Sequence, residues 1–178
     1  MRFDVMTLFP ELINNIVSTS ILGRAIQNEI ISVYSHDIRE HTLDKHRKVD
    51  DTPYGGGMGM VMSAAPIYNC FNSLYDKEKE DKPHLIYMSP KGKVLTQEKA
   101  KKLSKLPELV ILCGHYEGVD QRIIDEIVDE AVNLYNDLKQ KAAHPEGNKK
   151  AYYNGLTKAM FEKLDELSEK LSTVVAEA

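Results

Sequence analysis

The chain has 178 residues, 42% hydrophobic and 28% charged, with a formal net charge of −4 and two cysteines. That size and composition predict one domain of ordinary size, alone or with a helical appendage, and no apolar run reaches the roughly 20 residues of a membrane-spanning helix. Net acidity argues against a polyanion-binding surface over the whole molecule, and Cys70 and Cys113, without a CxxC pair, indicate neither a disulfide framework nor a zinc site.

The opening MRFDVMTLFPEL lacks the long apolar stretch and small-residue cleavage site of a signal peptide, so a cytoplasmic location is expected. Residues 3–9 form a short β-like run ending at Pro10, and Leu12, Ile13, Ile16 and Val17 then recur at helical spacing, predicting a strand followed by a helix. Residues 30–37 are β-rich, 38–62 loop-like, and 64–75 carry an apolar face that suits a helix. After a charged connector over 76–83, the compact apolar runs 84–89 and 109–114 predict strands buried on both faces of a parallel sheet, with a crossover helix over 96–105. The apolar stripe Ile123, Ile124, Ile127, Val128, Ala131, Leu134, Tyr135 and Leu138 predicts one helix running to about Ala143. Pro145, Gly147 and Asn148 then break the chain, and Leu156, Met160, Leu164, Leu167 and Leu171 predict a second helix.

Strands alternating with helices predict an α/β fold whose ligands gather at the carboxyl ends of the strands. Two glycine-bearing loops sit there, MSPKGK (88–93) and GHYEGVDQ (114–121). A third chemical segment, HRKVDDTPYGGGMGM (46–60), packs a basic cluster, two carboxylates, an aromatic and four glycines into fifteen residues. It is not a P-loop, because Met60 and Val61 stand where that motif needs a lysine and a hydroxyl residue. Cations beside exposed backbone N–H groups suit a phosphate-bearing partner instead. The five-residue spacing of His36, His41 and His46 matches no metal motif.

The segments TLFPE (7–11), GRA (23–25), HRKVDDTPYGGGMGM (46–60), YMSPKGK (87–93) and ILCGHYEGVDQR (111–122) resemble, in order and spacing, the bacterial tRNA (guanine-N(1)-)-methyltransferases of the TrmD family. The resemblance covers about residues 1–130. It implies a SPOUT-like parallel sheet with flanking helices and a trefoil knot, followed here by a C-terminal helical hairpin over 131–178. It further implies transfer of a methyl group from S-adenosylmethionine to the guanine 3′ of the anticodon, with tRNA as partner, a homodimer as assembly and a magnesium ion as a further candidate participant. By that resemblance Tyr87, Ser89, Pro90, Gly92, Gly114, Tyr116, Glu117 and Gly118 would contact the methyl donor. His46, Arg47, Asp50, Tyr54, Gly55, Gly56, Gly57 and Gly59 would surround the target guanine, and Glu117 and Asp50 are the catalytic candidates. Asp51 and Asp120 remain alternatives to Asp50 as general base.

Beyond about Glu130 the family continues with a motif close to SIGDYVLSGGE, then a linker carrying its general-base aspartate and a helical tRNA-gripping domain. None of these segments stands in the present sequence. Two readings therefore stand side by side: an active methyltransferase, or a TrmD-like domain that keeps the sheet and weak RNA or nucleoside binding without the chemistry.

Overall fold

In a computed structural model, residues 1–75 and 82–133 are described. The main sheet has five strands, β1 (Arg2–Thr7), β2 (Ser32–Asp37), β5 (Leu85–Val94), β6 (Glu108–Cys113) and β7 (Glu130–Asn133), all parallel, in the order β2-β1-β6-β5-β7. Successive side chains point to opposite faces, and both faces are covered. On one, Met6, Leu85, Tyr87, Val110 and Leu112 meet α3 (Ala64–Ser73) through Ile67, Cys70 and Phe71. On the other, Ile86, Leu109 and Val132 join Phe3, Leu103 and Leu106 below α4 (Gln97–Leu103). The predicted crossover helix is thus α4, started by Thr96, whose hydroxyl accepts from Lys99 N–H at 3.2 Å.

Buried thiols stay protonated, and the thiolate is the reactive form. Burial pushes the Cys70 thiol up to about 12 and the Cys113 thiol up to about 11. Alkylation by a maleimide at neutral pH is accordingly expected to be slow at both positions in the native protein and fast after urea unfolding. Rapid labelling of the folded chain would contradict the packing around α3 and β6.

The structure departs from the sequence reading in four places. The helix after β1 is two, α1 (Pro10–Val17) and α2 (Ser20–Gln27), because the Ser18 and Thr19 hydroxyls bond back to the Asn15 and Ile16 carbonyls at 3.0 and 2.8 Å. The turn is tight enough that Gly23 lies against the Ser18 carbonyl, where no Cβ would fit. Residues 38–62, expected to be loop, contain a 3-10 turn (Ile38–His41) and a small antiparallel ladder between β3 (Asp50–Asp51) and β4 (Val61–Met62).

The two remaining corrections concern the chain around β7. The helix expected to run unbroken to Ala143 is interrupted: α5 (Gln121–Glu126) is followed within four residues by β7. Asp129 explains the switch: its N–H donates to the Leu85 carbonyl at 3.0 Å and its carboxylate accepts the Leu85 N–H at 2.8 Å, capturing the chain on the edge of β5. The helical spacing of Ile127, Val128 and Ala131 yields to pairing that satisfies backbone groups along that edge. Ala131, Val132 and Asn133, assigned to a helical tail by the sequence, therefore belong to the sheet. The rest of the expected hairpin lies outside the described residues.

MSPKGK, in turn, is not a loop beyond the strand but an excursion within β5. Both Met88 and Lys93 pair with Val132, so residues 89–92 leave the ladder and return to the same point on β7. Gly92 lies on the backbone of β7, and an added Cβ would stand 2.5 Å from Ala131 C and Val132 N. Asn133 is buried there and donates through Nδ2 to the Pro90 carbonyl at 3.0 Å.

Candidate active site

The glycine-rich segment and the loop after β6 form one structure. Glu117 N–H donates to the Met60 carbonyl at 3.0 Å, Met62 N–H to the Gly118 carbonyl at 2.9 Å, and Asp120 N–H to the Met62 carbonyl at 3.0 Å. Val119 and Met62 form a parallel bridge. His115 N–H adds a contact to Met62 Sδ at 3.1 Å, and Met62 is fully buried. Met62, which the sequence reading passed over, is the pin that joins two motifs more than fifty residues apart; a buried methionine carries no sequence signal of such a role.

Closest approach falls at Gly59, whose φ is +100 and where a Cβ would stand 2.5 Å from Glu117 Cγ. The two residues assigned respectively to the guanine side and the donor side are thus in contact. Gly55, Gly56 and Gly57 all have positive φ and nothing within 4 Å of where a side chain would start. Only glycine takes three such conformations in a row without strain; the Gly56 N–H turns back to the Pro53 carbonyl at 3.1 Å, and the run lies beside Tyr54, which is 91% exposed.

The basic turn is shaped by Asp44, another residue the sequence reading missed. Its carboxylate accepts from the backbone N–H of His46 at 2.8 Å and of Lys48 at 3.2 Å, an Asx-type turn that holds the Asp44 carboxyl below the usual range. Arg47, with φ 56, sits at its apex, its guanidinium 3.7 Å from Glu40, and Lys48 lies 3.8 Å from Asp51. Both pairs are exposed and contribute little to stability. Asp50 is in the β3–β4 ladder opposite Met62, within the same assembly.

The donor-side residues line the carboxyl ends of β5 and β6. Tyr87 is buried, and burial raises its phenol above the usual range despite the opposing hydrogen bond with Ser89. Gly114 lies on that ring, with an added Cβ 2.8 Å from Tyr87 Cε2. Tyr116 takes a left-handed φ of 58, and its ring meets His115 edge-on at 4.7 Å; His115 in turn meets Phe9 at 5.2 Å. Desolvation and the nearby Arg39 lower the His115 pKa, which favours the neutral ring. Ser89, Pro90 and Gly92 belong to the excursion against β7, and Ser89 ties that excursion to the buried Tyr87 phenol on which Gly114 rests. A cleft of about 270 Å³ lined by Met1, Ile26, Glu29 and the first residues of β2 lies at the opposite end of the sheet, with Glu29 its only charged side chain, and offers no comparable chemistry.

Comparison with known proteins gives the same answer. The family model for tRNA (guanine-1)-methyltransferase TrmD matches residues 1–137. The tRNA (guanine-N(1)-)-methyltransferase of Ruminiclostridium cellulolyticum is 54% identical over 134 residues, covering 75% of this chain and 57% of that protein. Its counterpart from Lachnospira eligens is 51% identical over 134 residues, covering 75% of this chain and 56% of the relative. The chain therefore spans little more than half the length of these relatives. A crystal structure of the tRNA (m1G37) methyltransferase from Aquifex aeolicus superimposes with a TM-score of 0.68 at 38% identity, covering 76% of this chain and 60% of that one. With the family model spanning most of its length and its sheet matching a solved relative, the chain belongs to the TrmD family of tRNA (guanine-1)-methyltransferases.

Proposed function

We propose that this chain methylates N1 of the guanine 3′ of a tRNA anticodon, with S-adenosylmethionine as the donor. The observation that carries the reading is the contact of Gly59 with Glu117, which sets the glycine-rich segment against the loop after β6. The cradle of Tyr87, Ser89, Pro90, Gly92, Gly114, Tyr116, Glu117 and Gly118 would hold the adenosyl group. The donor supplies an already activated methyl on its sulfonium sulfur.

The chain's own residues then have two tasks. Exposed backbone at Gly55, Gly56, Gly57 and Gly59, with Tyr54 as a stacking surface, orients the unpaired guanine so that its ring nitrogen faces the donor cradle. His46 and Arg47 attract the flanking phosphates. As the methyl leaves sulfur for N1, the N1 proton must leave too, and Glu117 is placed to accept it, with Asp50 from the adjoining ladder as the alternative base. Arginine charge near the guanine O6 would steady the electron density that gathers there. A magnesium ion is a further candidate participant by the family resemblance alone.

The proposal extends to the assembly. A homodimer in the cytoplasm is the form in which two copies would complete each other's site, and a trefoil knot is the topology the family resemblance implies for the domain. The methyltransferase domain would occupy the N-terminal part of the chain, with a helical tail following it as a separate module. The test is direct. Isothermal calorimetry of the full chain with S-adenosylhomocysteine, and transfer of labelled methyl from S-adenosylmethionine to an unmodified tRNA transcript, should both be positive. Binding without transfer would leave a donor-binding domain lacking the chemistry, and absence of both would end the reading.

A further inference from the structure

We propose that Arg122, aimed by Asp120, is a phosphate fork that fixes the RNA strand entering the cleft beside the glycine-rich segment; the inference rests on the RNA-methylating reading above. Arg122 Nε donates to Asp120 Oδ1 at 3.0 Å and Nη2 to Oδ2 at 2.7 Å, a side-on bidentate pair. The Asp120 side chain is only 13% exposed, whereas that of Arg122 is 64% exposed. The carboxylate also accepts the Arg122 backbone N–H at 3.0 Å, capping α5.

These contacts hold the arginine by its inner edge and leave its outer edge to solvent. A guanidinium carries five N–H donors, and a side-on carboxylate uses one from Nε and one from Nη2. Of the three that remain, one on Nη1 and one on Nη2 point outward in parallel, the geometry that matches two oxygens of a phosphate. Arginine normally loses much rotamer freedom on binding an anion; here Asp120 has already removed it.

Position supports the same role. Asp120 N–H is tied to the Met62 carbonyl, so the pair is anchored to the segment that places Gly59 against Glu117. Because Asp120 neutralises Arg122, the pair adds little long-range attraction. Its contribution is registration of a strand that Lys45, His46, Arg47 and Lys48 attract.

Two kinds of cation respond oppositely to loss of Asp120, and that separates this role from generic charge. Binding of the full chain to an anticodon stem-loop RNA would be measured as a function of salt for the wild type, Arg122→Ala, Arg122→Lys and Asp120→Asn, with S-adenosylhomocysteine affinity as a check on the fold. Asparagine caps helices as well as aspartate, so α5 is retained. Arg122→Ala should weaken RNA binding roughly tenfold and reduce the salt slope by about 0.7, the loss of one single-strand phosphate contact. Arg122→Lys should not restore it, and Asp120→Asn should weaken binding although it removes a negative charge. Tighter binding by Asp120→Asn, or wild-type affinity and salt slope in Arg122→Ala, would overturn the inference while leaving the methyltransferase reading intact. Absence of RNA binding by the wild type would remove both.

Discussion

Gly92→Ala is expected to lower the urea midpoint of the chain and weaken S-adenosylhomocysteine binding together. The added methyl would stand 2.5 Å from Ala131 C and Val132 N and 2.6 Å from the Ala131 carbonyl oxygen, all backbone atoms of β7. Flexible side chains can move aside at small cost, but a strand held by its ladder cannot. Overpacking of this kind costs about 1–3 kcal/mol, and contact with backbone puts Gly92 at the upper end. Either β7 separates from β5 or residues 89–92 lift away, and in both cases the Asn133 contact to the Pro90 carbonyl is lost with the shape of the donor cradle. An unchanged midpoint with unchanged ligand affinity would show that the excursion does not grip β7.

The second large effect is at Glu117. Glu117→Gln keeps size and hydrogen-bonding capacity but removes the ability to take a proton, and methyl transfer should fall by about 10²- to 10⁴-fold, the usual contribution of a positioned acid or base. Affinity for S-adenosylhomocysteine should change little. Gly59→Ala should reach a similar loss by another route, since its methyl would displace Glu117 Cγ and its φ of +100 strains any side chain. A rate unaffected by Glu117→Gln would take that carboxylate out of the chemistry and shift attention to Asp50 in the adjoining ladder.

The parallel sheet was legible because the buried runs 84–89 and 109–114 are continuous and apolar, and because intervening charge at helical spacing marks α4. The last element was misread for a physical reason. Ile123 through Ala131 suits a helix locally, and only the partner strand forty residues earlier, bonded through Asp129, selects β7. Periodicity reports local preference, and tertiary pairing overrode it. The site shows the same division. Glycines in 46–60 and 114–118 announced contact, but nothing in the sequence says that Met62 links them, that Asp44 shapes the basic turn, or that Gly92 is pressed against the backbone of β7. Arg122 stood within a motif of the family resemblance and was passed over, because its pairing with Asp120 becomes visible only in three dimensions.

The return of β5 to Val132 on both sides of its excursion also governs the order in which the molecule can be assembled. Strands β1, β2 and β6 can pair before the last of the described chain is in place, but the grip of residues 89–92 has nothing to close on until Asn133 has been synthesised and delivered to the sheet edge. The excursion of β5 is therefore among the last of the described elements to close, and a nascent chain stalled before β7 holds residues 55–59 without the grip that fixes residues 89–92.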